Sequence, residues 1–294
     1  MTDLTGFIPP IATPMKDGKI DRDGLDRQLD DILDHVSGVL VGGSVGEIVS
    51  LTVEERIELL RWVAERVDER HSLCFSIADN SLENTRRLAD GAREADIDLL
   101  LVSAPNYFSL DVGMLEAYLA EVSDLAPADL CLYDNPAATH MQLTVADITR
   151  LGAAVERLTH VKVTDLSLGK VAALRKESEL GVFAGDDAVL WSQLVEGAQG
   201  AMVALPMICP ARTARFWRAF AAGDHELAFA EYAPAAVFIH AALGATDYVA
   251  VIKAAMEARG VLDSDAVRLP LTGLDPDRRA EVERSLSYLV ANEG

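Results

Sequence analysis

The stretch GVLVGGSVGEIVSLTVEERIELLRWVAERVDERHSLCFSIADN, residues 38–80, decides how the chain folds. It opens on a short β-branched run ending in GGSVGE and continues into TVEERIELLRWVAERV, which has helical periodicity and charged faces. It closes on a second apolar run, SLCFSIADN. Thr52 with Glu55 three residues on is a capping box and marks where the helix begins. A strand, a capped helix and a strand make one β/α unit plus the start of the next, which is how a parallel sheet is built.

The alternation repeats in both directions. Apolar runs occur at GFIPPIATP (6–14), DLLLVSAP (98–105), DLCLYDNP (129–136), LTHVKVTD (158–165), LGVFAGDD (180–187) and GAMVALP (200–206). With the two above, the runs number eight. Amphipathic segments such as DGLDRQLDDILDHV, SLENTRRLADGAREA and GMLEAYLAEVSDL lie between them. Eight strands alternating with helices is the count of an α/β (β/α)8 TIM barrel, and no GxGxxG follows the first strand to suggest an open dinucleotide-binding sheet. After residue 208 the strands stop, and helical segments are expected at 210–222, 225–242, 246–259 and 275–291. The division is therefore a barrel over 1–208 and a helical region packed on it over 209–294. The alanine-rich stretch AFAEYAPAAVFIHAALGA (228–245) is apolar around most of its circumference, which suits burial on two sides, including between subunits.

Composition narrows the partners. Of 294 residues 50% are hydrophobic and 25% charged, with Gly 20 and Pro 11, which excludes disordered and low-complexity classes. Lys+Arg 26 against Asp+Glu 47 leaves a net charge of -21, so nucleic acid and anionic membranes are repelled rather than attracted. Cys74, Cys131 and Cys209 are far apart and odd in number, suggesting neither a disulfide framework nor a metal knuckle. The start MTDLTGFIPPIATPM has no basic leader, and no apolar run reaches the length of a membrane span, so a soluble, cytoplasmic protein is expected. His35, His71, His140, His160, His225 and His240 show no ligand spacing, and no metal is expected.

In such a barrel the chemistry sits where the strands end. Lys162, between Val161 and Val163, belongs to a strand that should be buried. Desolvation penalises a buried ammonium, and the neutral amine is the form that attacks a carbonyl to make a Schiff base. The alternative is a structural ion pair with Asp165 or Asp187. Tyr133 closes the neighbouring run, where its phenol either moves protons or is simply a satisfied core hydroxyl. Ser44 and Tyr107 are further strand-end hydroxyls that would complete a relay. The glycines of GGSVGE either expose amides to a carboxylate or only make a tight turn. Asp186 and Asp187 would repel a phosphate and can bind a polyol or cap the next helix.

As a set these residues resemble the dihydrodipicolinate synthase and N-acetylneuraminate lyase family, Schiff-base class I aldolases and lyases on a TIM barrel. The resemblance rests on ATP (12–14), GGSVGE followed by LTVEER, the Tyr of YDNP, the Lys of HVKVTD, AGDD, GAMVA and KAAMEARGVLDSDAVRLPL, and covers nearly the whole chain. It implies that Lys162 condenses with a 2-oxo acid, usually pyruvate, and that Tyr133 is the acid/base. It further implies that Ser44 relays protons and, with the amide of Val45, holds the carboxylate. Tyr107 then corresponds to a tyrosine inserted into a neighbouring subunit's site, implying a dimer of dimers. Gly43, Thr13, Gly185, Asp186, Val203, Ala138 and His140 complete the expected substrate-binding set, and no cofactor is implied.

The departures are informative. Val45 replaces a second hydroxyl, Asp134 stands where Asn is usual, and Ala138 stands where lysine-biosynthesis members carry an Arg. That Arg grips a carboxylated partner through hydrogen bonds to charged groups, each roughly 1.5–3 kcal/mol, so its loss argues against 4-hydroxy-tetrahydrodipicolinate synthase activity. The expected function is C–C cleavage or condensation on a 2-oxo acid with an aldehyde or sugar acid. The alternatives are dehydration of a 2-keto-3-deoxy sugar acid and a non-catalytic binding homologue.

Overall fold

A computed structural model describes residues 4–243 and 246–291. Eight parallel strands form one sheet: β1 Gly6–Phe7, β2 Gly38–Val41, β3 Ser72–Ser76, β4 Leu99–Ser103, β5 Asp129–Asp134, β6 Leu158–Val163, β7 Gly181–Ala184 and β8 Gly200–Ala201. From β2 to β8 each strand pairs with the next in sequence, and β8 pairs with β1. The ring closes between β1 and β2, where the Ile11 amide donates to the Leu40 carbonyl (3.0 Å) and the Leu40 amide to that of Pro9 (2.9 Å). The run read as 6–14 is regular strand for only two residues, because Pro9 and Pro10 have no N–H to give a ladder.

Period-two alternation sorts each strand. Ile8, Leu40, Cys74, Leu101, Cys131, Phe183 and Met202 fill the barrel interior. Val39, Val41, Leu100, Val102, Leu130, Leu132, Val161 and Val163 join the larger core between sheet and helices. The helices start where side-chain oxygens can take orphan amides. Thr52 and Glu55 form the expected capping box on α2 (Val53–Ala64), alongside Ser81 on α3 (Leu82–Ala92), Asp111 on α4 (Val112–Leu125), and Thr144 with Asp147 on α5 (Val145–Ala154). On α2, Leu59, Leu60 and Val63 are fully buried, each stabilising by roughly 1.5–3 kcal/mol relative to exposure.

Beyond β8 come α6 (Pro210–Ala221), α7 (His225–Phe238, continued by a π-turn over Ile239–Leu243), α8 (Tyr248–Ala258) and α9 (Pro276–Ala291). Phe216 and Trp217 of α6 pack their rings 5.9 Å from Phe7 of β1. The helix α8 is buried without a break from Val249 to Met256 and runs past the mouth of the barrel. A short hairpin, Met15–Lys16 with Lys19–Ile20, and a one-turn helix, Pro136–Thr139, were not anticipated. No helix among the described residues is long and apolar enough to cross a membrane.

Candidate active site

Strand register assembles the centre. Lys162 on β6 stands opposite Tyr133 on β5, which stands opposite Ser103 on β4. All three are thus at one level of the barrel, above the layer of Leu101, Cys131 and His160. Lys162 is 3% exposed, and its Nζ lies 4.1 Å from the centre of the Tyr133 ring. Neither carboxylate offered as its ion-pair partner is paired with it. Lys170 engages Asp165 at 2.8 Å, while Asp187 accepts from the amides of Ala204 and Leu205, each at 2.9 Å. Among the described residues no salt bridge forms on Lys162.

The Tyr133 side chain shares its cavity lining with Ser44, Thr164 and Lys162, and all three act on its phenol. Burial pushes its phenol up, but the Lys162 charge and those hydroxyls outweigh burial and leave it below the ordinary tyrosine value. Tyr248, the first residue of α8, lines the same cavity as Ser44 and Tyr133. Burial and the neighbouring Tyr133 push the Tyr248 phenol up to about 12. Burial likewise lifts Asp187 to about 6, against its two amide hydrogen bonds.

A cavity of about 490 Å³ opens over Lys162. Ser44, Val45, Tyr133, Thr164, Ala138, Gly185, Asp186, Val203 and Tyr248 are among the residues that line it. Gly43 lines an adjoining cavity of about 230 Å³, which shares Ser44, Tyr133 and Ala138 with the first and has the buried Arg56 in its wall. Asp186 also caps the turn after β7 by accepting from the Ala188 amide at 2.8 Å.

Two expected binding residues are elsewhere. Thr13 is fully buried behind the GGSVGE turn, where its hydroxyl donates to the Gly46 carbonyl at 2.7 Å, so it braces the turn and does not reach the cavity. His140 is exposed and ends the Pro136–Thr139 helix in the left-handed region (φ 55), lining neither cavity. Tyr107 is 82% exposed and touches the ring of Phe108, so within one chain it does not meet Ser44.

Sequence reading missed Thr164, Tyr248 and two buried ion clusters. In one, Lys170 is held by Asp134 at 2.7 Å, Asp165 and the Leu143 carbonyl, which ties the ends of β5 and β6 beneath the site. In the other, Lys253 of α8 pairs with Glu47 of the GGSVGE turn, both side chains wholly out of solvent. Glu47 also accepts from the Arg268 amide at 2.7 Å. Only Tyr248 carried a usable signal, as a phenol opening a buried helix in the C-terminal region. Among the described residues no three His, Cys, Asp or Glu side chains group as metal ligands, and all three cysteines are buried free thiols.

The sequence model of the dihydrodipicolinate synthetase family matches residues 3–289. A 4-hydroxy-tetrahydrodipicolinate synthase of Bifidobacterium longum (strain DJO10A) is 28% identical over 95% of this chain and 93% of its own. The YagE protein of Escherichia coli K12, provisionally named a 2-dehydro-3-deoxy-D-gluconate aldolase, is 28% identical over 97% of each chain. The crystal structure of YagE in complex with pyruvate superposes with a TM-score of 0.92 at 27% identity, covering 97% of this chain and 98% of that one. The chain therefore belongs to the dihydrodipicolinate synthetase family and is an enzyme of its lyase and aldolase class.

Proposed function

We propose that this enzyme forms a Schiff base between Lys162 and a 2-oxo acid of the pyruvate type, and makes or breaks a C–C bond next to it. The observation that carries the reading is a buried lysine with no carboxylate partner, 4.1 Å from a phenol ring that a serine and a threonine flank. Nζ of Lys162, as the free amine, attacks the keto carbon, and Tyr133 with Ser44 moves the protons of carbinolamine formation and dehydration. The protonated imine is then the electron sink for aldol cleavage or condensation, and the reaction calls on no cofactor. Ser44 and the amide of Val45 receive the oxo acid's carboxylate. Pyruvate in the YagE structure supports this choice of donor for a relative of the same fold.

The second substrate is an aldehyde or sugar acid whose far end is a polyol, not an anion. Ala138 offers no cation, and Asp186 faces the same cavity. This is why we favour an aldolase over a 4-hydroxy-tetrahydrodipicolinate synthase. We place it in the cytoplasm as a dimer of dimers, with Tyr107 reaching a neighbouring subunit. Tyr107 and Phe108, at 82% and 73% exposure, support the contact. A solution mass of one chain at micromolar concentration overturns it.

The test is intact mass after incubation with pyruvate and borohydride, with Lys162→Ala alongside. A pyruvate-sized adduct on the wild type alone is expected, and its absence with pyruvate and with longer 2-oxo acids overturns the reading. A panel of neutral aldehydes and deoxy sugar acids then identifies the partner.

A further inference from the structure

The GGSVGE turn, between β2 and the one-turn helix Ile48–Ser50, spends part of its backbone on itself and leaves part free. The Gly46 amide donates to the Gly43 carbonyl and the Glu47 amide to that of Ser44, each at 3.0 Å. The amides of Ser44 and Val45 donate to no acceptor among the described residues, and both residues line the cavity over Lys162. Successive free amides beside a hydroxyl can receive an anion, provided the turn keeps its shape.

That shape is held from outside the turn, through Glu47. Its backbone lies in the left-handed region (φ 57), where glycine is at ease and glutamate is strained, so the side chain is what the position requires. Both carboxylate oxygens are engaged: Oε1 accepts from Nζ of Lys253 on α8, and Oε2 from the Arg268 amide at 2.7 Å. Lys253 donates in addition to the Ala266 carbonyl at 2.7 Å. The Arg268 guanidinium spans both oxygens of Glu55, at 2.8 and 2.7 Å, and reaches the Ser50 carbonyl at 3.2 Å. The turn is thus fixed at Glu47 and again at its exit by residues more than two hundred positions later in the chain. Neither Glu47 nor Lys253 lines a cavity at the barrel mouth, so neither touches the substrate.

From this arrangement we infer that Glu47, locked by Lys253, is the positioning residue that holds the Ser44 hydroxyl and the Val45 amide in place for the carboxylate of the 2-oxo acid. The C-terminal region thereby sets the affinity of the barrel's site for its donor substrate. This deepens the Schiff-base reading and rests on it. A carboxylate is held alike before and during the chemistry, so loosening the turn weakens binding without slowing the bound complex. Lys162 and Tyr133 stand on strands tied by the separate Lys170 cluster, which the change leaves intact.

The experiment follows exchange of pyruvate methyl protons with deuterium oxide by NMR over a range of pyruvate concentrations. The borohydride adduct and the thermal midpoint are read on the same preparations. It compares wild type, Glu47→Gln, the double variant Lys253→Met with Glu47→Leu, and Leu151→Ala, a core truncation on α5 outside the turn and its anchors. Both variants of the pair are expected to raise the KM for pyruvate by about tenfold and to keep the saturated rate within about threefold. Leu151→Ala should lower the midpoint and leave KM within about threefold of wild type. A wild-type KM in either variant of the pair overturns the inference, as does a fall in saturated rate at unchanged KM. So does a rise in KM for Leu151→Ala as large as theirs, which would make the effect one of stability alone. Should the double variant fail to fold, Glu47→Gln, which keeps the side chain's shape, decides by itself. A wild type that forms no adduct overturns the Schiff-base reading instead, so the two failures are distinguishable.

Discussion

The mouth of the barrel and its two braces each bury a lysine, and they treat it oppositely. Lys253 is enclosed by Glu47 and the Ala266 carbonyl, and Lys170 by Asp134, Asp165 and the Leu143 carbonyl. Lys162 is as deeply buried but faces a phenol and an open cavity. Burial alone therefore does not mark a reactive amine, because a buried ammonium matched by carboxylates and carbonyls is a structural tie. What distinguishes Lys162 is burial without a matching anion and with space for a substrate above it. The two ties are also what make the mouth possible. One anchors the GGSVGE turn to α8, and the other fixes the strand ends that carry Tyr133 and Thr164.

The same substitution at two of these lysines separates the roles most sharply. Lys162→Met strands no carboxylate, so thermal unfolding should stay at or above the wild-type midpoint while turnover falls by at least about 10⁴-fold, as when a covalent nucleophile is removed. A marked drop in midpoint would make Lys162 a structural lysine. Lys253→Met leaves Glu47 buried and unpaired, and denaturant unfolding should show a loss of about 3–5 kcal/mol. The double variant Lys253→Met with Glu47→Leu should recover most of that loss, because no charge then remains out of water. Failure of the double variant to recover would mean that the pair's contribution lies in shape rather than charge.

A smaller effect is expected at the second brace. Burial raises the Asp134 carboxyl despite the adjacent Lys170, and Lys170 keeps Asp165 and the Leu143 carbonyl when Asp134 is neutralised. Asp134→Asn should then cost about 1 kcal/mol or less by the same unfolding measurement. A loss as large as that of Lys253→Met would show that Asp134, not Asp165, is the partner that matters.

The smallest effect depends on pH and concerns Asp187, a carboxylate close enough to feel the Lys162 charge without pairing to it. Its folded value of about 6 lies above the ordinary 3.8, so the folded chain binds more protons than the unfolded one between those values. The contribution is present in full below the lower value and is lost as pH rises through the upper. Relative to Asp187→Asn, wild-type stability should fall between those two pH values and stay level above them. A flat difference across the range would mean that the Ala204 and Leu205 amides hold the carboxylate ionised throughout.

The barrel was legible because its signal is periodic and local. Eight apolar runs, the Thr52 and Glu55 cap and the four later helices are all written in neighbouring residues, and short-range sterics and capping act on those same neighbours. The positions of Lys162 and Tyr133 could be read for the same reason, since parallel register sets adjacent strand ends side by side. Thr13 and His140 line neither cavity, because a family position says which turn a residue belongs to, whereas the direction of its side chain depends on packing behind that turn. Lys253 had no local mark, and Tyr248 only that of a phenol opening a buried helix. They reach the Glu47 carboxylate and the cavity of Ser44 across some two hundred residues of chain, and only closure of the barrel and docking of α8 bring those residues together. The sequence by itself determined the β/α alternation, the acidic surface and a lysine on a buried strand. The tertiary structure decided which buried lysine lacks an anion, because pairing in the interior depends on distance in space rather than separation along the chain.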